Sequence, residues 1–227
     1  MGWERFKQIV NLVIQLRGIS PLAKCEIRSF HDAEDAKLWI QYALMCQVTE
    51  LIVISDDTDE DAPVLCYDAP FISQHLKSLE FFDVNLEGSS LDFSNCPALE
   101  HLKMGTCRVR APSISFQSLK HLCIANSCTF PQDFRLRIVA PELILLELDG
   151  FDGLTPSLGH MPFLVTAYIG LGYECHDFCT RNGQGCENHR CGCHAYPVDK
   201  GLVINGLSNT VNLELIAQPK RSFTYGI

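Results

Sequence analysis

The feature that most limits what this chain can fold into is a spaced apolar triplet, L-x-x-L-x-L, that returns along most of its length. Its fullest form is Leu99 to Val109, LEHLKMGTCRV, in which Leu99, Leu102, Met104, Cys107 and Val109 fill every apolar slot of the longer pattern L-x-x-L-x-L-x-x-N/C-x-L. The core triplet recurs as Leu22/Cys25/Ile27, Val48/Leu51/Val53, Leu76/Leu79/Phe81, Leu119/Leu122/Ile124, Leu143/Leu146/Leu148, Leu164/Ala167/Ile169 and, with Thr in the first slot, Thr210/Leu213/Leu215. The first anchors, at positions 22, 48, 76, 99, 119, 143, 164 and 210, lie 26, 28, 23, 20, 24, 21 and 46 residues apart.

All but the last spacing fall in the range of about 20 to 29 residues of a leucine-rich repeat. A unit of that size buries its apolar edge only against its neighbours, so the expected fold is one stacked solenoid. In class terms it is α/β: a curved parallel sheet, helices or loops on the convex side, about eight irregular repeats and an N-terminal capping helix. One domain over residues 1–219 is expected, with 220–227 as an unstructured tail. The double-length last gap holds the one stretch of odd composition, 172–201, which reads as an insertion loop ahead of the final strand.

Two amphipathic helices are predicted. Phe6, Ile9, Val10, Val13 and Leu16 fall at helical spacing over residues 4–17, and the segment stops at Gly18 with Pro21 beyond. This helix is expected to cover the open first edge of the sheet. The second runs from about Ala33 to Met45, with Asp32 as N-cap, Asp35 in the first turn and Ala36, Trp39, Ile40, Ala43 and Leu44 as the inward stripe. Between later repeats, Pro97, Pro141 and Pro162 fix φ just ahead of a strand and block helix there.

Charge narrows the functional classes. A formal net charge of -9 argues against nucleic acid and anionic membrane, which need basic faces. No apolar leader opens the chain and no run is long enough to span a bilayer, so the expectation is a cytoplasmic or nuclear protein, not a secreted one. The 12 cysteines then read as reduced thiols where they fill apolar repeat slots. The acidic run Asp56 to Asp61 lacks the spaced carboxylates and central Gly of a calcium loop, and reads as a solvated connector.

No catalytic constellation is found and no cofactor motif is complete: Gly170 and Gly172 begin a dinucleotide loop, but Cys175 stands where its third glycine belongs. The expectation is a protein that is not an enzyme. Within the insertion, Cys175, Cys179, Cys186, His189, Cys191 and Cys193 supply enough ligands for tetrahedral zinc, though none of the pairs has the C-x2-C spacing of a structural site. A flexible reduced-thiol loop is the preferred reading and a zinc-dependent binding module the alternative.

The ordered series of segments resembles plant F-box/leucine-rich-repeat proteins, especially those of grasses. FKQIVNLVIQLRGISPL is similar to the helix that follows the F-box, AKLWIQYALMCQVTEL to the Trp-Ile helix and next strand, and CPALEHLKMGTC, SLKHLCI, FRLRIVAPELILLELDG, MPFLVTAYI and GLSNTVNLELIAQP to successive repeats. The resemblance spans roughly residues 4 to 219. It implies the substrate-recognition part of an SCF-type ubiquitin ligase. The F-box itself, which docks the Skp adaptor, is absent from this sequence, so the chain reads as the repeat part alone, binding that adaptor only if an F-box is restored, or as a truncated product without a ligase role.

Partner-facing positions follow from the repeat. The residues between the inward anchors point out along the concave wall: Glu26, Ile52, Glu80, Lys103, Cys123, Glu147, Tyr168 and Glu214, with His101, His121 and Thr166 on the preceding outward slot. Four acids against one lysine suit a protein partner with a basic patch.

Overall fold

The computed structural model describes residues 3–28, 33–55, 65–67, 70–88, 91–171 and 204–217. The loop 56–61, the N-cap position 32, the insertion 172–201 and the tail 220–227 therefore lie outside the described residues.

The chain is a parallel-sheet solenoid of about six turns with few helices, consistent with a leucine-rich-repeat type of coil. Among the described residues its main sheet has eight strands: β1 (Lys24–Arg28), β2 (Glu50–Ile54), β4 (Ser78–Phe82), β7 (His101–Gly105), β10 (His121–Ala125), β12 (Leu145–Asp149), β14 (Thr166–Leu171) and β15 (Asn212–Ala217). Every neighbouring pair is parallel and without stagger, so Leu51, Leu79, Leu102, Leu122, Leu146, Ala167 and Leu213 form one inward column. The predicted triplets coincide with these strands. Strand alternation sends the second and third anchors of each triplet inward and the x residues outward, since the side-chain period is 2.

The return limbs differ from expectation. Among the described residues only the first is a full helix, α2 (Ala33–Met45), between β1 and β2. It buries Ala36, Trp39, Ile40 and Ala43 as the stripe requires, with Leu44 partly buried against the same core. From β2 onward the described return limbs run through two further parallel sheets. One pairs β3 (Cys66–Tyr67), β5 (Asn85–Glu87) and β8 (Arg108–Arg110), and parallel bridges extend it to Thr129 and Asp152. The other pairs β6 (Leu91–Asp92), β9 (Ser113–Ser115), β11 (Arg137–Val139) and β13 (Ser157–Leu158). Repeats of 20 to 24 residues leave too little chain for a three-turn helix, and their return limbs show no 3.6-residue apolar period, so extended limbs win. A short helix, α3 (Ile204–Leu207), precedes β15 and packs on β13; a Cβ at Gly206 would meet Leu158 Cβ at 2.6 Å.

Two corners repeat around the coil. The prolines open β-turns whose closing N–H belongs to the first anchor: Leu99 donates to the Cys96 carbonyl (3.0 Å), Leu143 to Ala140 (3.2 Å) and Leu164 to Met161 (3.2 Å). Pro97, Pro141 and Pro162 thus stand at i+1, where φ near -65° is wanted. The other corner follows β4, β7, β10 and β12 and has positive φ at Asp83 (55°), Thr106 (52°), Asn126 (58°) and Gly150 (61°). Neighbouring turns tie these corners together, as Asp83 N–H donates to Gly105 O at 3.1 Å and Thr106 N–H to Asn126 O at 3.1 Å.

Inside, Phe71, Phe93 and Phe116 stack at 5.4 and 5.1 Å between centroids, joining successive turns. Such pairs contribute about 0.5–1.5 kcal/mol each beyond area burial. All seven described cysteines are free thiols; of the two that fill repeat slots, Cys107 is buried as the pattern predicts and Cys25 is half-buried, while Cys46, Cys96 and Cys128 are buried outside those slots.

The first helix, α1 (Trp3–Arg17), forms where predicted and ends at Gly18 with φ +62°. Its packing does not match the predicted stripe. Phe6, Ile9, Val13 and Leu16 are exposed, while Val10 and Ile14 pack on the core. The reason is electrostatic: Asp35 of α2 is buried, and Lys7 reaches it at 2.7 Å. A buried carboxylate needs its counter-ion, so the helix turns its Lys7, Val10, Ile14 and Arg17 side inward. Arg17 completes that side by donating to Tyr42 Oη and the Pro21 carbonyl.

Candidate functional site

The outward face of the main sheet collects the predicted partner-facing residues into two columns. Register places Glu26, Ile52, Glu80, Lys103, Cys123, Glu147, Tyr168 and Glu214 in one. His101, His121 and Thr166 share the other with Lys24, Glu50, Ser78, Leu145 and Asn212. Eight strands at about 4.8 Å spacing make each column about 34 Å long. Glu26, His101, Lys103, His121 and Glu214 are exposed; Glu80, Glu147, Thr166 and Tyr168 are half-buried between neighbours.

Several of these side chains engage one another. His101 and His121 meet edge to face at 4.6 Å. Partial burial, followed by the neighbouring His101, holds the His121 imidazole below its ordinary pKa. Just before them in the chain, Lys120 pairs with Glu100 at 2.6 Å across the same two turns. At the centre of the other column, burial and a hydrogen bond with Glu147 push the Cys123 thiol up to about 12, so it stays protonated at neutral pH. Beyond it, desolvation and the charges of Asp149, Glu214 and Glu147 raise the Tyr168 phenol. At the first edge Glu26 pairs with Arg28 on its own strand.

A third column was not singled out by the sequence pattern. It runs through Arg28, Ile54, Phe82, Gly105, Ala125, Asp149, Gly170 and Ile216. Phe82 lies over Gly105, where a Cβ would come within 2.6 Å of the ring, and Lys103 Nζ sits 5.5 Å from that ring's centroid. Asp149 lies over Gly170 in the same way. A glycine inside a strand signals such a close approach, and this was the readable clue. Ile52, Ile54 and Phe82 give the first half of the face an apolar floor, whereas Glu147, Asp149 and Glu214 make the second half acidic.

Among the described residues no group of three or more His, Cys, Asp or Glu side chains could hold a metal. The candidates Cys175, Cys179, Cys186, His189, Cys191 and Cys193 lie outside those residues. No described helix is long and apolar enough to cross a membrane. No family model matches the chain, and neither the curated proteins nor the solved structures yield a match.

Proposed function

We propose that this chain is a protein-interaction module: a leucine-rich-repeat array of eight irregular repeats, one per strand of the main sheet, with α1 as its N-terminal cap. Its outward sheet face takes a protein with a basic patch. The observation that carries this reading is the unstaggered column in which Glu26, Glu80, Glu147 and Glu214 accompany a single lysine, Lys103. Parallel strands without stagger hold those carboxylates in one line at fixed intervals, and a rigid line of like charge steers and orients an opposite one. The resemblance to F-box/leucine-rich-repeat proteins supports a more specific role, the presentation of a protein substrate to an SCF-type ubiquitin ligase.

The test has two arms. A labelled Lys-rich peptide should bind the full chain and lose most of that binding on Glu80→Lys with Glu214→Lys; unchanged binding refutes the face assignment. A fusion of this chain to an F-box should retain the Skp adaptor and ubiquitylate proteins that the same double variant no longer captures. Identical ubiquitylation by both fusions refutes the substrate-recognition role.

A further inference from the structure

Away from the acidic face, the second sheet carries a groove of opposite character. β8 and the segment 129–134 enclose an open cavity of about 490 Å3 whose lining includes Arg108, Arg110, Thr129, Pro131, Asp133 and Phe134. Arg108 and Arg110 flank the buried Val109, so strand alternation projects both guanidiniums from the same outer side. The backbone beneath them is already committed: Arg108 N–H donates to Val84 O at 3.1 Å, and Val109 N–H to Thr129 O at 2.9 Å. Recognition in the groove therefore falls to side chains.

The acids nearby offset the pair only loosely. Glu87 on β5 approaches Arg110 at only 3.8 Å, with both side chains well exposed. Asp133 is the one acid among the lining residues. On a chain of net charge -9, Arg108 and Arg110 concentrate positive charge on one groove wall, with Glu87 and Asp133 as the acids beside them.

We propose that this groove binds an extended acidic segment of a partner protein, Arg108 and Arg110 each taking one carboxylate while Pro131 and Phe134 receive an apolar side chain. Arg108 and Arg110 are two residues apart on a strand, about 6.6 Å, which is the repeat of alternate side chains on an extended ligand. Guanidinium forks match carboxylates in a bidentate manner. A lone inorganic anion would engage one or two water-exposed arginines and gain little from either. A peptide engages both and adds the apolar contact. This surface is separate from the acidic face, and its ligand has the opposite charge.

The experiment is fluorescence anisotropy of a labelled peptide with alternating Glu and Leu, titrated with the full chain at low salt. The expected result is binding that weakens as salt rises and falls by roughly tenfold or more in Arg108→Glu/Arg110→Glu. Binding of the Lys-rich probe should survive the same change, which separates failure here from failure of the acidic face. Circular dichroism checks that the variant is folded, and Arg108→Gln/Arg110→Gln is the substitute where it is not. Equal peptide binding by wild type and variant overturns the proposal. Displacement of the peptide by an equal concentration of inorganic phosphate also overturns it, reducing the groove to a simple anion site.

Discussion

Leu146 and Leu148 on β12 and Leu213 and Leu215 on β15 are the same residues in the same two inward columns of one sheet. The first pair is 0% exposed, the second 49% and 65%. Nothing in the residues themselves differs. β12 has a strand on either side, whereas β15 ends the described order of the sheet. Burial in a solenoid is thus conferred by the neighbouring turn, and stability is a sum of interfaces more than of residues.

The largest test of that contrast is a charge placed in the column. Leu102→Arg, on a strand flanked by two others, should unfold the chain or cost at least about 3 kcal/mol, since an unpaired buried charge has no compensation. Leu213→Arg in the same column should leave a cooperative melt with a near-native midpoint. Thermal unfolding that treats the two alike breaks the comparison. A gentler version uses truncation: Leu146→Ala should cost about 2–5 kcal/mol in urea titrations and Leu213→Ala within about 1 kcal/mol. Outward from Leu102, Lys103→Glu should change stability by less than about 0.5 kcal/mol.

The polar face should show the same gradient. In the interior, burial comes first in holding the Cys123 thiol up at about 12; Glu147→Gln removes the charge and alters the hydrogen bond that add to it, so alkylation of Cys123 near pH 9 should accelerate. Glu214→Gln, two strands further on, should leave that rate unchanged. The smallest effect concerns His121. Its folded pKa is depressed, so its contribution to stability is present above the ordinary histidine range near 6.5 and is lost as pH falls through the folded value. His121 is largely exposed, so the readout is its NMR titration, with a midpoint below the ordinary value that rises on His101→Gln. A midpoint unmoved by that change would deny the coupling across the two strands.

How legible was all this in the sequence? The main strands were, because L-x-x-L-x-L states both the period of 2 along a strand and the interval between turns, and the eight triplets coincide with strands of the main sheet. The return limbs were not. Strands of two or three residues such as β6 and β13 are too short to show a period, and they exist because the previous turn offers a ladder. The left-handed corners at Asp83, Thr106 and Asn126 were also hidden, since only Gly150 carries the residue that announces such a φ. For α1 the apolar stripe was right at Val10 but wrong at Phe6, Ile9, Val13 and Leu16, because Lys7 answers a charge on another helix that periodicity does not see. On the candidate face, alternation identified the outward residues, but which of them touch depends on register. The His101–His121 contact and the seat of Phe82 over Gly105 are properties of adjacent turns, not of either turn alone.

The unstaggered pairing of the main sheet has a metric consequence. With no shear between strands, an outward column runs straight across the repeats, so a ligand laid along it is read by one side chain every 4.8 Å or so. The face works as a ruler. Duplicating one internal repeat would lengthen the readable span by one graduation without moving the marks already there, and a deletion would shorten it by the same step. Footprint length and repeat number are then a single quantity, which recombination can change while each repeat keeps its own residue at its own mark.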